Sequence, residues 1–384
     1  MKTPTHEMQE QHRDSIENIV VVDVDVHLHE VPAEIAEYCE MPWRKSLEFQ
    51  AFIPERYLDT PGLSPGQDGL WAPFPGGHDA TRTVMSPRQM VDELKSIGVD
   101  IGILFPDHLL KMALLPQIDY AVALMRAYNA WLVDRWCSRE NSLKGCIVAC
   151  PQDPHAAAEE IKRYAKNPGV VGVYLPTAAV SPLWGHRVYD PIYQAAEEVD
   201  LPVIFHSVAT IHPNFPHNTH GYETEMGQHT IGHAFSIIAN LVDVVTAGVP
   251  VRFPNLRIAW TESGVSWVPF IMYRLDKEYV ERRREVPYLR ERPSHYVRRF
   301  YYSTQPIEEP ENPQDLVNII RMYGGIETTM FASDWPHHDF DHPKKTFLLP
   351  FTPEERRKIM GENAMRFFRI DALGNRLNLQ EDHS

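Results

Sequence analysis

Five residues able to hold a divalent cation close apolar runs of this 384-residue chain: His27 and His29, His206, Glu262 and Asp334. In an extended strand, residues two apart face the same way, so His27 and His29 can reach one ion together. Imidazole and carboxylate donors suit zinc first, with manganese or another divalent ion the alternative where carboxylate and water contribute more. Three imidazoles and a carboxylate leave an open position for water or substrate. An ion so held lowers the pKa of bound water to about 7 or acts as a Lewis acid on substrate oxygens. A lone His-x-His, or one histidine after an apolar run, is ordinary packing, and an Asp after Phe-Ala-Ser is an ordinary helix cap. Only their convergence would make a site.

Convergence requires that the runs be strands of one sheet. Ile19–His29 reads as a strand with a buried β-branched front half and a polar end. From Met41 to about Arg82 the text turns Pro/Gly-rich (Thr60-Pro-Gly, Ser64-Pro-Gly, Phe74-Pro-Gly-Gly). That stretch reads as a long insertion, because irregular segments of such length are usually functional. Its Trp43, Phe52, Tyr57, Trp71 and Phe74 suit a lid over the mouth or a subunit contact. Alternation follows. Helices are expected from Ser86-Pro87 to Gly98, over Ile118–Arg139, Asp153–Lys166, Asp190–Val199, Thr230–Ala247, Trp267–Arg284, Gln314–Tyr323 and Thr352–Phe368. Strands are expected at Val99–Phe105, Gly145–Cys150, Val170–Leu175, Leu201–His206, Leu256–Glu262, Phe300–Ser303 and Met330–Asp334. Eight strands alternating with helices indicate a (β/α)8 barrel, one α/β domain over 19–370. Residues 1–18 and 371–384 are read as flexible termini. At a barrel's C-terminal mouth all five candidates would meet.

Composition narrows the classes. Hydrophobic residues are 43% and charged residues 23%, enough for a large core. Acidic residues outnumber basic ones 52 to 37, a net −15 that repels a phosphate backbone, so no nucleic-acid partner is expected. Four cysteines make no disulfide framework, Met1–Asn18 lacks an apolar signal core, and no apolar run approaches a membrane span. A cytoplasmic protein without membrane contact is the expectation. Neither a dinucleotide fingerprint nor a phosphate-binding Gly-rich loop is present.

Val24-Asp-Val-His-Leu-His29, Pro202-Val-Ile-Phe-His206, Pro254-Asn-Leu-Arg-Ile-Ala-Trp-Thr-Glu262 and Phe331-Ala-Ser-Asp334-Trp-Pro resemble the amidohydrolase superfamily. The likeness is nearest to the branch of aminocarboxymuconate-semialdehyde and resorcylate-type decarboxylases. Tyr128-Asn-Ala-Trp131, Gln152-Asp-Pro154 and Gly361-Glu-Asn363-Ala364 agree with it. The resemblance spans about Ile19 to Phe368. It implies metal ligands His27, His29, His206 and Asp334, with Asp334 also transferring a proton, and a small carboxylated substrate. By family habit it implies a homo-oligomer, taken as a dimer. One departure stands out: those decarboxylases usually carry a histidine after strand six, where this chain has Thr261-Glu262-Ser263-Gly264. Glu262 can be a general base or a further ligand, but not a cationic stabiliser.

A second histidine group, His212, His217, His220, His229 and His233, lies between strands five and six. His229 and His233 are four apart on one helix face, so either can supply the missing imidazole. The other three read as polar loop residues. His337 and His338 are candidate pocket residues, Tyr302, Ser303 and Thr304 candidate substrate contacts, and Arg298-Arg299 a solvated face. Two reactions fit. In decarboxylation, the favoured one, Asp334 protonates carbon before carbon dioxide leaves. In hydrolysis, metal-activated water attacks a carbonyl and Glu262 or a histidine assists the leaving group.

Overall fold

A computed structural model describes residues 19–50, 86–207, 222–337 and 339–377. Its eight strands are β1 (Val22–Leu28), β2 (Ile101–Pro106), β3 (Leu143–Val148), β4 (Val170–Pro176), β5 (Val203–His206), β6 (Ile258–Thr261), β7 (Tyr301–Ser303) and β8 (Thr329–Met330). They pair in parallel in chain order. The principal helices are α1 (Pro87–Ile97), α2 (Ile118–Trp131), α3 (Pro154–Tyr164), α4 (Asp190–Glu198), α5 (Glu225–Thr246), α6 (Val268–Arg282) and α7 (Pro313–Met322). The closing helix runs Pro353–Arg357 and Asn363–Phe368 around a π-helical turn at Lys358–Glu362. This is the expected (β/α)8 architecture. β1 to β6 are buried along their whole length, as parallel strands covered by helices must be.

The seam between β8 and β1 is irregular. After two residues of β8 the chain leaves the regular ladder, yet Val24 N–H donates to Phe331 O, Asp334 N–H to Asp25 O and His27 N–H to Trp335 O, at 3.1, 3.0 and 2.8 Å. The expected strand Met330–Asp334 is therefore cut short. The Asp23 carboxylate takes the Ser333 N–H at 2.9 Å, a bond the ladder would otherwise have used. Asp334 then adopts φ +62°, which no strand residue has.

Other boundaries differ for local reasons. Ser86 and Gln89 form a reciprocal capping box on α1, which ends at Gly98 with φ +91°. α2 stops at Trp131 and continues as a π-helical turn, Leu132–Cys137. α5 starts five residues earlier than expected, at Glu225, where Thr224 Oγ1 accepts the Gly227 N–H. In the closing helix a Cβ on Gly361 would lie 2.1 Å from the Val20 carbonyl, so the helix can lie against the chain only there. The expected insertion at 41–82 lies for its greater part outside the described residues, as do 1–18 and 378–384. Its first residues are regular: Arg44–Gln50 is a helix, Leu47 is buried, and the Trp43 ring sits 5.6 Å from Tyr120. Residues 371–377 turn back on the domain, with Leu377 N–H bonded to Arg369 O at 2.8 Å.

Candidate metal centre

β1 reads Val-Asp-Val-Asp-Val-His-Leu, and its alternation sends Asp23, Asp25 and His27 into the barrel while the valines pack outward. His27 Nδ1–H donates to Pro106 O at 2.7 Å, which in the neutral imidazole leaves Nε2 as a lone pair. That Nε2 lies 2.9 Å from Asp334 Oδ1 and 3.2 Å from Asp25 Oδ1. On β5, His206 Nδ1–H donates to Ser207 O at 2.7 Å, and its Nε2 lies 2.9 Å from the same Asp25 Oδ1. All four side chains are buried.

Two carboxylates facing two imidazole lone pairs out of water need positive charge. Burial pushes both imidazoles down, but the carboxylates outweigh it and raise His27 and His206 well above their usual range. Two extra protons would balance the charge; so would one divalent ion, with both imidazoles neutral. Among the described residues, His27 Nε2, Asp334 Oδ1 and Asp25 Oδ2 have no hydrogen-bond partner. Contacts of 2.9–3.2 Å without hydrogen-bond geometry are what donors aimed at a common ion make. Donors at right angles on ~2.1 Å bonds stand roughly 3.0 Å apart, against roughly 3.4 Å for a tetrahedron.

His29 does not join this group. It lies past the end of β1, with Nδ1 3.9 Å from Asp107 Oδ2 and its ring 5.1 Å from His108. The expected set was His27, His29, His206 and Asp334; in the structure it is Asp25, one alternation earlier along β1, that stands beside His27 and His206. The missed signal was the alternation Asp23-x-Asp25-x-His27 inside a strand buried on both faces, where every residue is ordinarily apolar.

Glu262 also has a positive φ, +63°, at the end of β6, and its N–H donates to Ser303 Oγ at 3.0 Å. Its Oε2 accepts from Ser207 Oγ at 2.9 Å and lies 3.2 Å from His206 Nδ1. Its Oε1 lies 3.2 Å from His233 Nδ1, which also meets Ser207 Oγ at 2.8 Å. Burial pushes the Glu262 carboxyl up, yet His233 and His206 hold it well below its usual range. Burial likewise pushes His233 down, and Glu262 reverses it upward. The structure thus brings His233 to the carboxylate that stands where a histidine was expected. His229 lies further out, Nε2 to Nε2 with His233 at 3.2 Å and 3.4 Å from Asp339 Oδ2.

His337 stacks on His27 at 4.2 Å, with Nδ1 2.7 Å from Asp334 Oδ1 and Nε2 3.4 Å from Asp107 Oδ1. Gln305, unremarked in the sequence, donates from Nε2 to Asp334 Oδ2 at 3.2 Å. Tyr302 turns away, its hydroxyl on Val297 O at 2.8 Å. Ser303 Oγ accepts the Glu262 N–H at 3.0 Å, and Thr304 Oγ1 accepts the Ala332 N–H at 3.0 Å. Arg299 is exposed and bonds Pro254 O at the opposite end of the barrel. His212, His217, His220 and His338 lie outside the described residues.

Residues 24–370 match the family model Amidohydro_2, described as amidohydrolase. The chain belongs to that family. Among its relatives, gamma-resorcylate decarboxylase of Rhodococcus jostii is 24% identical over 356 residues, 86% of this chain and all of that one. The solved 5-carboxyvanillate decarboxylase of Sphingomonas paucimobilis superposes with a TM-score of 0.71 at 20% identity, covering 92% of this chain and 100% of that one. The 5-carboxyvanillate decarboxylase of Novosphingobium aromaticivorans, solved with manganese and 4-hydroxy-3-methoxy-5-nitrobenzoic acid, gives 0.70 at 17% identity, covering 92% and 97%.

Proposed function

We propose that this protein is a metal-dependent decarboxylase of a small hydroxylated aromatic carboxylic acid. The observation that carries the proposal is His27 Nε2 standing 3.2 Å from Asp25 Oδ1 and 2.9 Å from Asp334 Oδ1 with no hydrogen bond to either, while the same Asp25 Oδ1 meets His206 Nε2 at 2.9 Å. The decarboxylases it resembles along nearly its whole length support the reaction. The residues fit a divalent ion, and the fit favours manganese over the zinc expected from three imidazoles and a carboxylate. Two nitrogens and two carboxylate oxygens make a harder donor set than three imidazoles and one carboxylate. A divalent ion bound there supplies charge that neutralises and orients a substrate carboxylate and an adjacent hydroxyl oxygen.

The protein's own groups do the rest. Asp334, fixed through Oδ2 by Gln305, carries the proton to the ring carbon that bears the carboxylate. As that C–H bond forms and the C–C bond breaks, the bonding pair returns to the ring and carbon dioxide leaves. Glu262 keeps His233 charged, so an imidazolium faces an anionic substrate where Glu262 alone would repel it. His229, bonded to His233, relays toward the mouth.

Hydrolysis is distinguished by its products. Incubation of manganese-loaded enzyme with 2,6-dihydroxybenzoate and 5-carboxyvanillate in H2(18)O and D2O should yield carbon dioxide and one ring deuterium. An aromatic product carrying 18O from solvent would overturn the reading. The proposal includes a homodimer, supported by the exposed Phe270, Tyr273 and Val280 on α6 and checked by sedimentation mass. It includes a reducing cytoplasmic setting, supported by four free buried cysteines. Among the described residues no helix is long and apolar enough to cross a membrane.

A further inference from the structure

Beside the first cluster stands another that shares no residue with it. His29 follows β1, and Asp107 and His108 follow β2, so two adjacent strand ends bring two imidazoles and a carboxylate to the same side of the mouth. One ligand atom from each of the three falls within 4.8 Å of the others. The turn that carries two of them is built in place. The buried Glu30 carboxylate accepts the N–H groups of Asp107, His108 and Leu109 at 2.9–3.2 Å, which fixes the backbone before any ligand arrives. Asp107 is 5% exposed, and among the described residues its Oδ2 has no hydrogen-bond partner. That oxygen faces His29 Nδ1 at 3.9 Å, too far for a hydrogen bond. Its other oxygen faces His337 Nε2 at 3.4 Å, and His337 in turn contacts Asp334 of the first cluster.

We propose that His29, Asp107 and His108 form a second divalent transition-metal site, one imidazole ring (His337) away from the first. Two nitrogens and one carboxylate suit manganese, zinc or cobalt and disfavour calcium or magnesium, which take oxygen shells. Three protein donors leave positions for water or for a substrate oxygen. The donors are looser than in the first cluster: 3.9 Å between His29 and Asp107 exceeds the roughly 3.4 Å edge of a tetrahedral site on ~2.1 Å bonds. Binding must draw them together by about half an ångström, so this site fills after the first. It accounts for why His29, two residues along from His27, lies away from the first cluster.

The test is manganese binding to the full, metal-stripped chain, read by calorimetry and by metal analysis after dialysis. The wild type should take two equivalents, the second at least about tenfold weaker. Asp107→Asn and His108→Ala should each lose the weaker equivalent and keep the tight one. Asp25→Asn should do the reverse, so the two sites fail or stand separately. Electron paramagnetic resonance should show dipolar broadening of the manganese lines only above one equivalent, and not in His108→Ala. His108 is partly exposed, so that variant keeps the fold, which circular dichroism verifies. A wild type saturating at one equivalent would overturn the proposal. So would a second equivalent that survives both Asp107→Asn and His108→Ala, which marks adventitious surface binding.

Discussion

Replacing Asp25 with asparagine separates the ligand set proposed from the side-chain geometry from the one expected from the His-x-His spelling. Asp25 Oδ1 is the one atom shared by both imidazoles, 2.9 Å from His206 Nε2 and 3.2 Å from His27 Nε2. Asparagine keeps the shape and one oxygen but removes a full negative charge next to the ion. Loss of a group that merely supports a ligand costs 10–100-fold in affinity, about 1.4–2.7 kcal/mol, and loss of a charged ligand sets that upper figure as the minimum. The manganese dissociation constant of the tight site should therefore rise at least about 100-fold. His29→Ala should move that constant less than about threefold, since His29 sits toward Asp107. Calorimetric titration of metal-stripped protein reads both. Tight binding left within threefold by Asp25→Asn, together with its loss in His29→Ala, would refute the reasoning and restore the His27–His29 pair.

Three other outcomes follow from the same geometry. Glu262→Gln should destabilise the protein by about 3–5 kcal/mol near pH 6, because it leaves the buried His233 without its counter-charge. The Glu262 carboxyl is depressed and His233 raised, so the pair's contribution is complete between about pH 4.5 and 6.5. It is lost as pH falls through the depressed Glu262 value or rises through the raised His233 value, and urea titrations across pH should show the mutant lacking both limbs. Burial pushes the Asp23 carboxyl up to about 8, with Ser333 only partly opposing it. The folded state thus holds a proton that the unfolded chain releases near 4, and wild-type stability should fall between pH 4 and 8 by up to ~1.4 kcal/mol per unit relative to Asp23→Asn. A parallel pair of stability curves would refute this. Asn363 Nδ2 donates to Ile326 O at 2.9 Å and Thr329 O at 2.7 Å, so Asn363→Ala should cost about 2–3 kcal/mol and lower Tm. Differential scanning calorimetry would measure it, and a change below about 0.5 kcal/mol would count against those bonds.

The sequence alone determined the architecture, because local signals repeat eight times over. Apolar runs too short for helices alternate with capped amphipathic segments such as Ser86 to Gly98, and the parallel sheet follows from that order. It also determined that strand ends carry the chemistry: His27, His206, Glu262 and Asp334 all reach the barrel interior. Which residues face one another was decided only by the tertiary structure. The strand's two-residue period is satisfied equally by Asp25 with His27 and by His27 with His29. The choice rests on how far β1 extends relative to β5 and to the 331–335 segment, a shear set by all eight strands closing at once. The same closure gives Asp23 to Ser333, cuts β8 short and turns Asp334 through a positive φ toward His27. His233 stands 29 residues before Glu262, and no periodicity relates a residue on α5 to the end of β6. Their salt bridge exists because α5 packs over the barrel mouth, a contact that only the folded chain contains.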